Sequence, residues 1–169
     1  MPARPAATQT VTLRDIRPED VPTVVRFVHE LADYEREPES CLLTGEQLHT
    51  ALFGEHPAVF GHVAEVDGTV AGTALWFVTF STWTGVHGMH LEDLYVSPSH
   101  RRLGLARALL ARLATTCVER GWARLEWAVL DWNTPALDFY ATLSSRPQDG
   151  WTTHRVDGDA LGALAALDR

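Results

Sequence analysis

Leu91-Glu92-Asp93-Leu94-Tyr95-Val96, then Ser97-Pro98-Ser99-His100, then Arg101-Arg102-Leu103-Gly104-Leu105-Ala106 is the stretch that decides how this 169-residue chain is read. A β-rich run is stopped by Ser97-Pro98, and a basic loop follows. From Gly104 to Glu119 the spacing predicts an amphipathic helix, with Leu105, Leu109, Leu110 and Leu113 along one side. Gly121 ends it. The start of a helix offers unpaired backbone N–H groups and a partial positive charge, so it suits a phosphate. Gly104 and Ala106 are small enough for a pyrophosphate to approach the backbone, and Arg101 and Arg102 add charge. No Lys-Ser/Thr pair of a nucleoside-triphosphate loop is present, and no GxGxxG. On Arg-x-x-Gly-x-Ala alone, a tight turn carrying surface arginines fits equally well.

Upstream, Val11–Ile16 reads as a strand and Pro18–Glu35 as a helix, with Val21, Val24, Val25, Val28 and Leu31 at helical spacing. Thr44 with Gln47 has the form of a capping box opening a second helix, to Phe53. Val59–Val66 and Thr69–Phe80 form a hairpin across Asp67-Gly68, and His87–Val96 is the next strand. Downstream come a strand over Arg124–Leu130, a helix over Thr134–Leu143, a strand over Trp151–Val156 and a last helix over Asp159–Leu167. Antiparallel strands come first, and a strand-helix-strand crossover follows, which should be parallel and right-handed. The expected fold class is α/β, a mixed sheet with helices on both faces.

Length favours one domain, over residues 11–169, behind a flexible tail at residues 1–10. With 46% hydrophobic and 21% charged residues the chain can build an ordinary core. The formal charge of -8 disfavours nucleic acid as a partner and is compatible with a cationic substrate. Two distant cysteines, Cys41 and Cys117, argue against a disulfide framework or a thiolate metal site. His87 and His90 fall in a strand, on opposite faces, so no metal is expected. No apolar run is long enough for a signal peptide or a membrane span, so the expected location is cytoplasmic, with no membrane partner.

The loop resembles the acetyl-CoA signature of the GNAT superfamily of N-acetyltransferases, Arg/Gln-x-x-Gly-x-Gly/Ala. The resemblance runs from Val11 onward and narrows to the spermidine/spermine and thialysine N-acetyltransferases. It is carried by Glu30-Leu-Ala-Asp-Tyr-Glu35, Phe53-Gly-Glu-His-Pro57, Ser81-Thr-Trp-Thr-Gly85, Leu91-Glu-Asp93 and Ala128-Val-Leu-Asp-Trp-Asn133. It implies acetyl transfer from acetyl-CoA to a small-molecule amine by direct attack, and a homodimer. Leu94, Tyr95 and Val96 would hold the pantetheine arm through their backbone. Arg101, Arg102, Leu103, Gly104, Leu105, Ala106 and Arg107 would hold the pyrophosphate. Asn133, Thr134, Pro135 and Ala136 would line the CoA path. Tyr140 would protonate the departing thiolate, and Glu92 would act as base through water. Tyr34, Glu35, Trp83, Glu92, Asp93, Glu126, Trp127 and Ala128 would lie on the amine side.

These residue types suit that chemistry. An alkylammonium must lose a proton before it attacks, and a carboxylate can both hold and deprotonate it. No protein nucleophile is required, so Cys117 is read as helix packing. Each residue also has a plainer reading: Tyr140 as a core aromatic, Glu92-Asp93 as an edge-strand charge pair, Glu35 as solvated helix surface, Trp83 as packing or a dimer contact. Ser144-Ser145-Arg146-Pro147 stands where the family has Gly, and the segment before Gly150-Trp151 is shortened, leaving Asp149 to replace an acidic contact. Ser81-Thr82 lacks the acidic residue of the polyamine branch, which favours the thialysine side. A protein lysine or N-terminal acetyltransferase and a non-catalytic acyl-CoA sensor are the alternatives.

Overall fold

A computed structural model describes residues 9–168, so most of the tail expected over residues 1–10 lies outside the described residues. The chain divides into two compact units, residues 1–130 and 131–169.

The first unit is a five-stranded sheet in the order β1-β2-β3-β4-β5. Its strands are β1 (Val11–Asp15), β2 (Phe60–Val66), β3 (Thr69–Ser81), β4 (Val86–Val96) and β5 (Leu125–Trp127). The first four are antiparallel, and β4 with β5 is the parallel pair expected of the crossover. Asp67 and Gly68 both take positive φ, 51° and 80°, the twist a two-residue hairpin turn requires. Helices α1 (Val21–Tyr34) and α2 (Gly45–Phe53) cover one face. There Val21, Val24, Leu48 and Leu52 pack with Ile16, Val63 and Leu75. Helix α3 (Leu105–Glu119) buries Leu105, Leu109, Leu110, Leu113 and Cys117. Trp76, the neighbour of Leu75, meets Trp122 and the Arg120 guanidinium at the end of α3. Adjacent strand residues point to opposite faces, so α3 lies across the sheet from α1 and α2.

Local rules explain most boundaries. Thr44 Oγ1 accepts from the Gln47 N–H (3.3 Å) and Gln47 Oε1 accepts from the Thr44 N–H (2.8 Å), the expected capping box. The helix expected from Pro18 opens instead as a 3-10 turn over Pro18–Asp20, and α1 begins at Val21. Pro22 has no N–H to give the Pro18 carbonyl, which accepts from Val21 one residue earlier. The strand expected over Arg124–Leu130 is reduced to β5, because its partner β4 departs from regular pairing just beyond Leu91.

The second unit contains α4 (Thr134–Ala141) and α5 (Gly158–Ala165). The strand expected over Trp151–Val156 is absent: these residues are irregular and exposed. A β-rich run becomes a strand only where another strand pairs with it, and no such partner reaches this one among the described residues. None of the described helices is long and apolar enough to cross a membrane.

A part-buried ion cluster around the buried Asp20 ties β1 and β2 to the start of α1. Arg14 binds Asp20 in bidentate fashion (2.6 and 2.9 Å) and donates through Nε to Glu65 (2.8 Å). Burial pushes the Asp20 carboxyl up, but hydrogen bonds from Arg14 and the Arg17 N–H outweigh it and hold the carboxyl below its usual range. We expect Asp20→Asn to cost about 3 kcal/mol of unfolding free energy at neutral pH. A lowered native pKa stabilises above the unfolded value and loses that contribution as pH falls through the native one. The gap between the variant and the parent should therefore close in acid. Denaturant titrations at pH 7 and in mild acid measure both; equal stability at pH 7 would contradict the assignment.

Candidate active site

The site grows from one irregularity. Leu75 pairs with Asp93 but Trp76 pairs with Leu91, so Glu92 is an extra residue in β4 with no partner on β3. The bulge reverses the alternation of faces. Leu91 is buried, whereas beyond the bulge Asp93 and Tyr95 share the face of Leu75, toward α1. Without the extra residue Asp93 would share the side of Leu91, where a carboxylate has no place.

The reversal brings Asp93 to Glu35, which directly follows α1. Burial, then the charges of Glu92 and Glu35, push the Asp93 carboxyl up to about 6. Burial also raises Glu35. Glu92 is exposed, with Oε2 at 3.7 Å from His90 Nε2. The His90 ring stacks on Phe77, its cross-strand partner, at 4.9 Å. Two residues on, the Tyr95 hydroxyl donates to Glu30 Oε2 (2.6 Å), and its ring packs on Phe27 at 5.1 Å. Burial and this bond raise the phenol to about 12. Three carboxylates thus meet at the bulge, one poised near neutrality, able to attract an ammonium and accept its proton.

The same bulge opens the sheet. β5 pairs with β4 only over Met89, His90 and Leu91. From Glu92 to Val96 that edge of β4 has no strand partner among the described residues. Its end leads through Ser97–Gly104 into α3. Gly104 precedes the first turn with φ 77°, and a Cβ built there meets nothing within 4 Å. Arg102 also has positive φ, 65°. Arg101 Nε reaches back to the Val96 carbonyl at 3.4 Å. The basic loop, the open glycine and the N–H groups of the first turn of α3, including Leu105 and Ala106, are suited to an anion.

Other residues singled out in the sequence are placed differently. Trp83 lies in the tip joining β3 and β4, 86% exposed and about 20 Å along the strand from the bulge at ~3.3 Å per residue. Glu126 is held by Arg124 Nε at 2.8 Å. Tyr34 ends α1, Trp127 ends β5, and Ala128 follows it. In the second unit Asn133 Oδ1 accepts from the Ala136 N–H (3.3 Å), so it caps α4, with Thr134 and Pro135 in the first turn. Tyr140 lies near the end of α4. Ser145 Oγ donates to its carbonyl (2.9 Å), and Asp149 and Trp151 are in irregular chain. Glu30 stands in the sequence only as the start of a family stretch, and Phe77 carries no mark at all, because nothing in local spacing shows a partner across the fold. His90 was noticed, as a strand residue facing away from His87. No cluster of three potential metal ligands occurs among the described residues.

Comparison with known proteins gives this geometry its context. The model of the Acetyltransferase (GNAT) family matches residues 24–144. The thialysine N-epsilon-acetyltransferase of Caenorhabditis elegans is 39% identical over 153 residues, covering 89% of this chain and 94% of that protein. That of Sus scrofa is 32% identical over 167 residues, covering 92% and 98%. An integron cassette protein from the V. cholerae mobile metagenome superposes with a TM-score of 0.77 at 25% identity, covering 92% of this chain and 97% of that one. With the bulged strand, the splayed edge and the basic helix start all inside the matched segment, the chain belongs to the GNAT family of acetyltransferases.

Proposed function

We propose that residues 11–169 act as one acetyltransferase domain that moves the acetyl group of acetyl-CoA to a primary amine on a short flexible molecule of the thialysine or lysine kind. The observation that carries this reading is the carboxylate cluster at the β4 bulge, beside a strand edge leading to the start of α3. The names of the relatives of Caenorhabditis elegans and Sus scrofa support the same acceptor class. Acetyl-CoA supplies an activated acetyl group as a thioester. The open edge at Leu94, Tyr95 and Val96 can bond its amides as a further strand would, and Arg101, Arg102 and the opening of α3 can hold its pyrophosphate.

Glu35 and Asp93 attract the ammonium. Asp93, with Glu92 on its solvent side, takes the proton, which moves the base role from Glu92 alone to the pair. A β4 N–H at the bulge can support negative charge on the acetyl oxygen. Tyr140 is the acid for the leaving thiolate. A cytoplasmic homodimer belongs to this reading, with the exposed Trp83 as a contact between copies.

Two outcomes test it. Gly104→Ala is expected to leave the fold intact yet weaken CoA binding about tenfold, since a side chain at positive φ costs ~1 kcal/mol and fills the open space. Arg101→Ala should weaken binding as well; calorimetry with unchanged affinity in both would remove the phosphate assignment. Rates across thialysine, lysine, putrescine, spermidine and spermine should favour thialysine, and spermine as the best acceptor would sink the assigned class.

A further inference from the structure

A cavity of about 340 Å³ lies in the first unit between the C-terminal half of α3 and the start of β2. It shares no residue with the Glu35, Glu92 and Asp93 carboxylates, the open edge or the basic loop. Its apolar wall includes Phe60, stacked on Trp76 at 4.7 Å. His62 is buried behind it. Trp76 Nε1 donates to His62 Nδ1 (3.2 Å), which leaves the Nε2 proton for Asp15 at 3.2 Å. Burial holds this imidazole below its ordinary value against the pull of Asp15. Both ring nitrogens of His62 are thus engaged, and four charged side chains stand around the cavity: Arg112, Arg120, Asp15 and Glu119.

Those four do not neutralise one another. Arg112, Arg120 and Glu119 make no ion pair among the described residues, although all line one cavity. Arg112, Glu119 and Arg120 fall on one stripe of α3, at i, i+7 and i+8. Arg120 is held over the Trp122 ring at 4.9 Å. A ligand that used the site fully would carry both signs of charge close together and a compact apolar or aromatic body. A simple anion would leave the carboxylates facing it, and a simple cation the guanidiniums. The volume sits at the small end of ligand pockets, ~300–1,000 Å³, which suits a single small molecule and not a peptide.

We propose that this cavity is a binding site for a free zwitterionic α-amino acid with an aromatic or branched apolar side chain. Arg112 and Arg120 take the carboxylate, Asp15 and Glu119 take the ammonium, and the side chain lies against Phe60 and the apolar wall. The site is separate from the acceptor site, so its failure leaves the acetyltransferase reading standing.

The probe is L-phenylalanine, titrated calorimetrically into the full chain saturated with CoA. Two analogues, 3-phenylpropionate and phenethylamine, each lack one charge. We expect L-phenylalanine to bind with a dissociation constant of about 1 mM or tighter, and each analogue at least tenfold more weakly. Arg112→Gln combined with Arg120→Gln should abolish binding, while Glu92→Gln should leave it unchanged. An unshifted melting temperature shows that the arginine variant remains folded. No binding of L-phenylalanine at ~10 mM, equal binding of all three probes, or binding lost with Glu92 instead of the arginines would each overturn the proposal.

Discussion

Asp93→Asn is expected to lower kcat/KM for the amine by about 10²- to 10⁴-fold near neutral pH, the range for loss of a general base. The ammonium cannot attack, so the site must take its proton as well as hold its charge. Asp93 is the carboxyl raised to about 6 by burial and by Glu92 and Glu35, close enough to neutrality to accept a proton and release it again. The rate should rise with pH through a limb near that value in the parent. In Asp93→Asn the limb should vanish, and activity should climb toward high pH as free amine becomes available. Glu92→Gln removes a like charge, so it should lower the Asp93 pKa, shift the limb to lower pH and reduce kcat/KM less. A limb that survives unchanged in Asp93→Asn would return the base role to Glu92.

The same substitution should act on stability with the opposite sign. A carboxyl whose native pKa lies above its unfolded value favours the native state when protonated, and its contribution falls as pH rises from about 4 to about 6. Asp93→Asn is therefore expected to melt higher than the parent at pH 7.5, with the difference fading toward pH 4. A loss of activity with a gain of melting temperature separates a functional role from simple damage.

Tyr140→Phe is expected to lower kcat by about 10²- to 10⁴-fold with little change in acetyl-CoA affinity. The thiolate leaves poorly unless a proton meets it, and phenylalanine keeps the ring of α4 while removing only the hydroxyl. The discriminating comparison is between acetyl donors. A thioester with a more acidic thiol leaves without help, so the variant should recover much of its deficit on such a donor. Near-normal kcat under chemistry-limited conditions would make Tyr140 a packing residue of α4.

Much of the fold was legible because its signals are local. The four leucines along one side of α3, the Thr44–Gln47 box, the Asp67-Gly68 turn and the run from Leu91 to Ala106 each depend on neighbours a few residues away. The glycine-containing loop at the start of α3 was legible for the same reason: the change from β-rich run to amphipathic helix is written in neighbouring residues. The strand at Trp151–Val156 was misread because β propensity is realised only through a partner, which the sequence does not name. The start of α1 was misread for want of one N–H, at Pro22.

Glu92 and Asp93 could be named from sequence, but which of the two turns inward could not. Alternation alone places neighbours on opposite faces. Only the pairing of Leu75 with Asp93 and Trp76 with Leu91 reveals the extra residue that turns Asp93 toward Glu35 and gives it a raised pKa. Glu30 meeting Tyr95, His90 stacking on Phe77, and the charged cavity around Phe60 are likewise products of distant segments. The chain alone determined its elements and the chemistry of its side chains. Burial and strand register, which exist only once the sheet has formed, decided which of those side chains come together and which of them are buried.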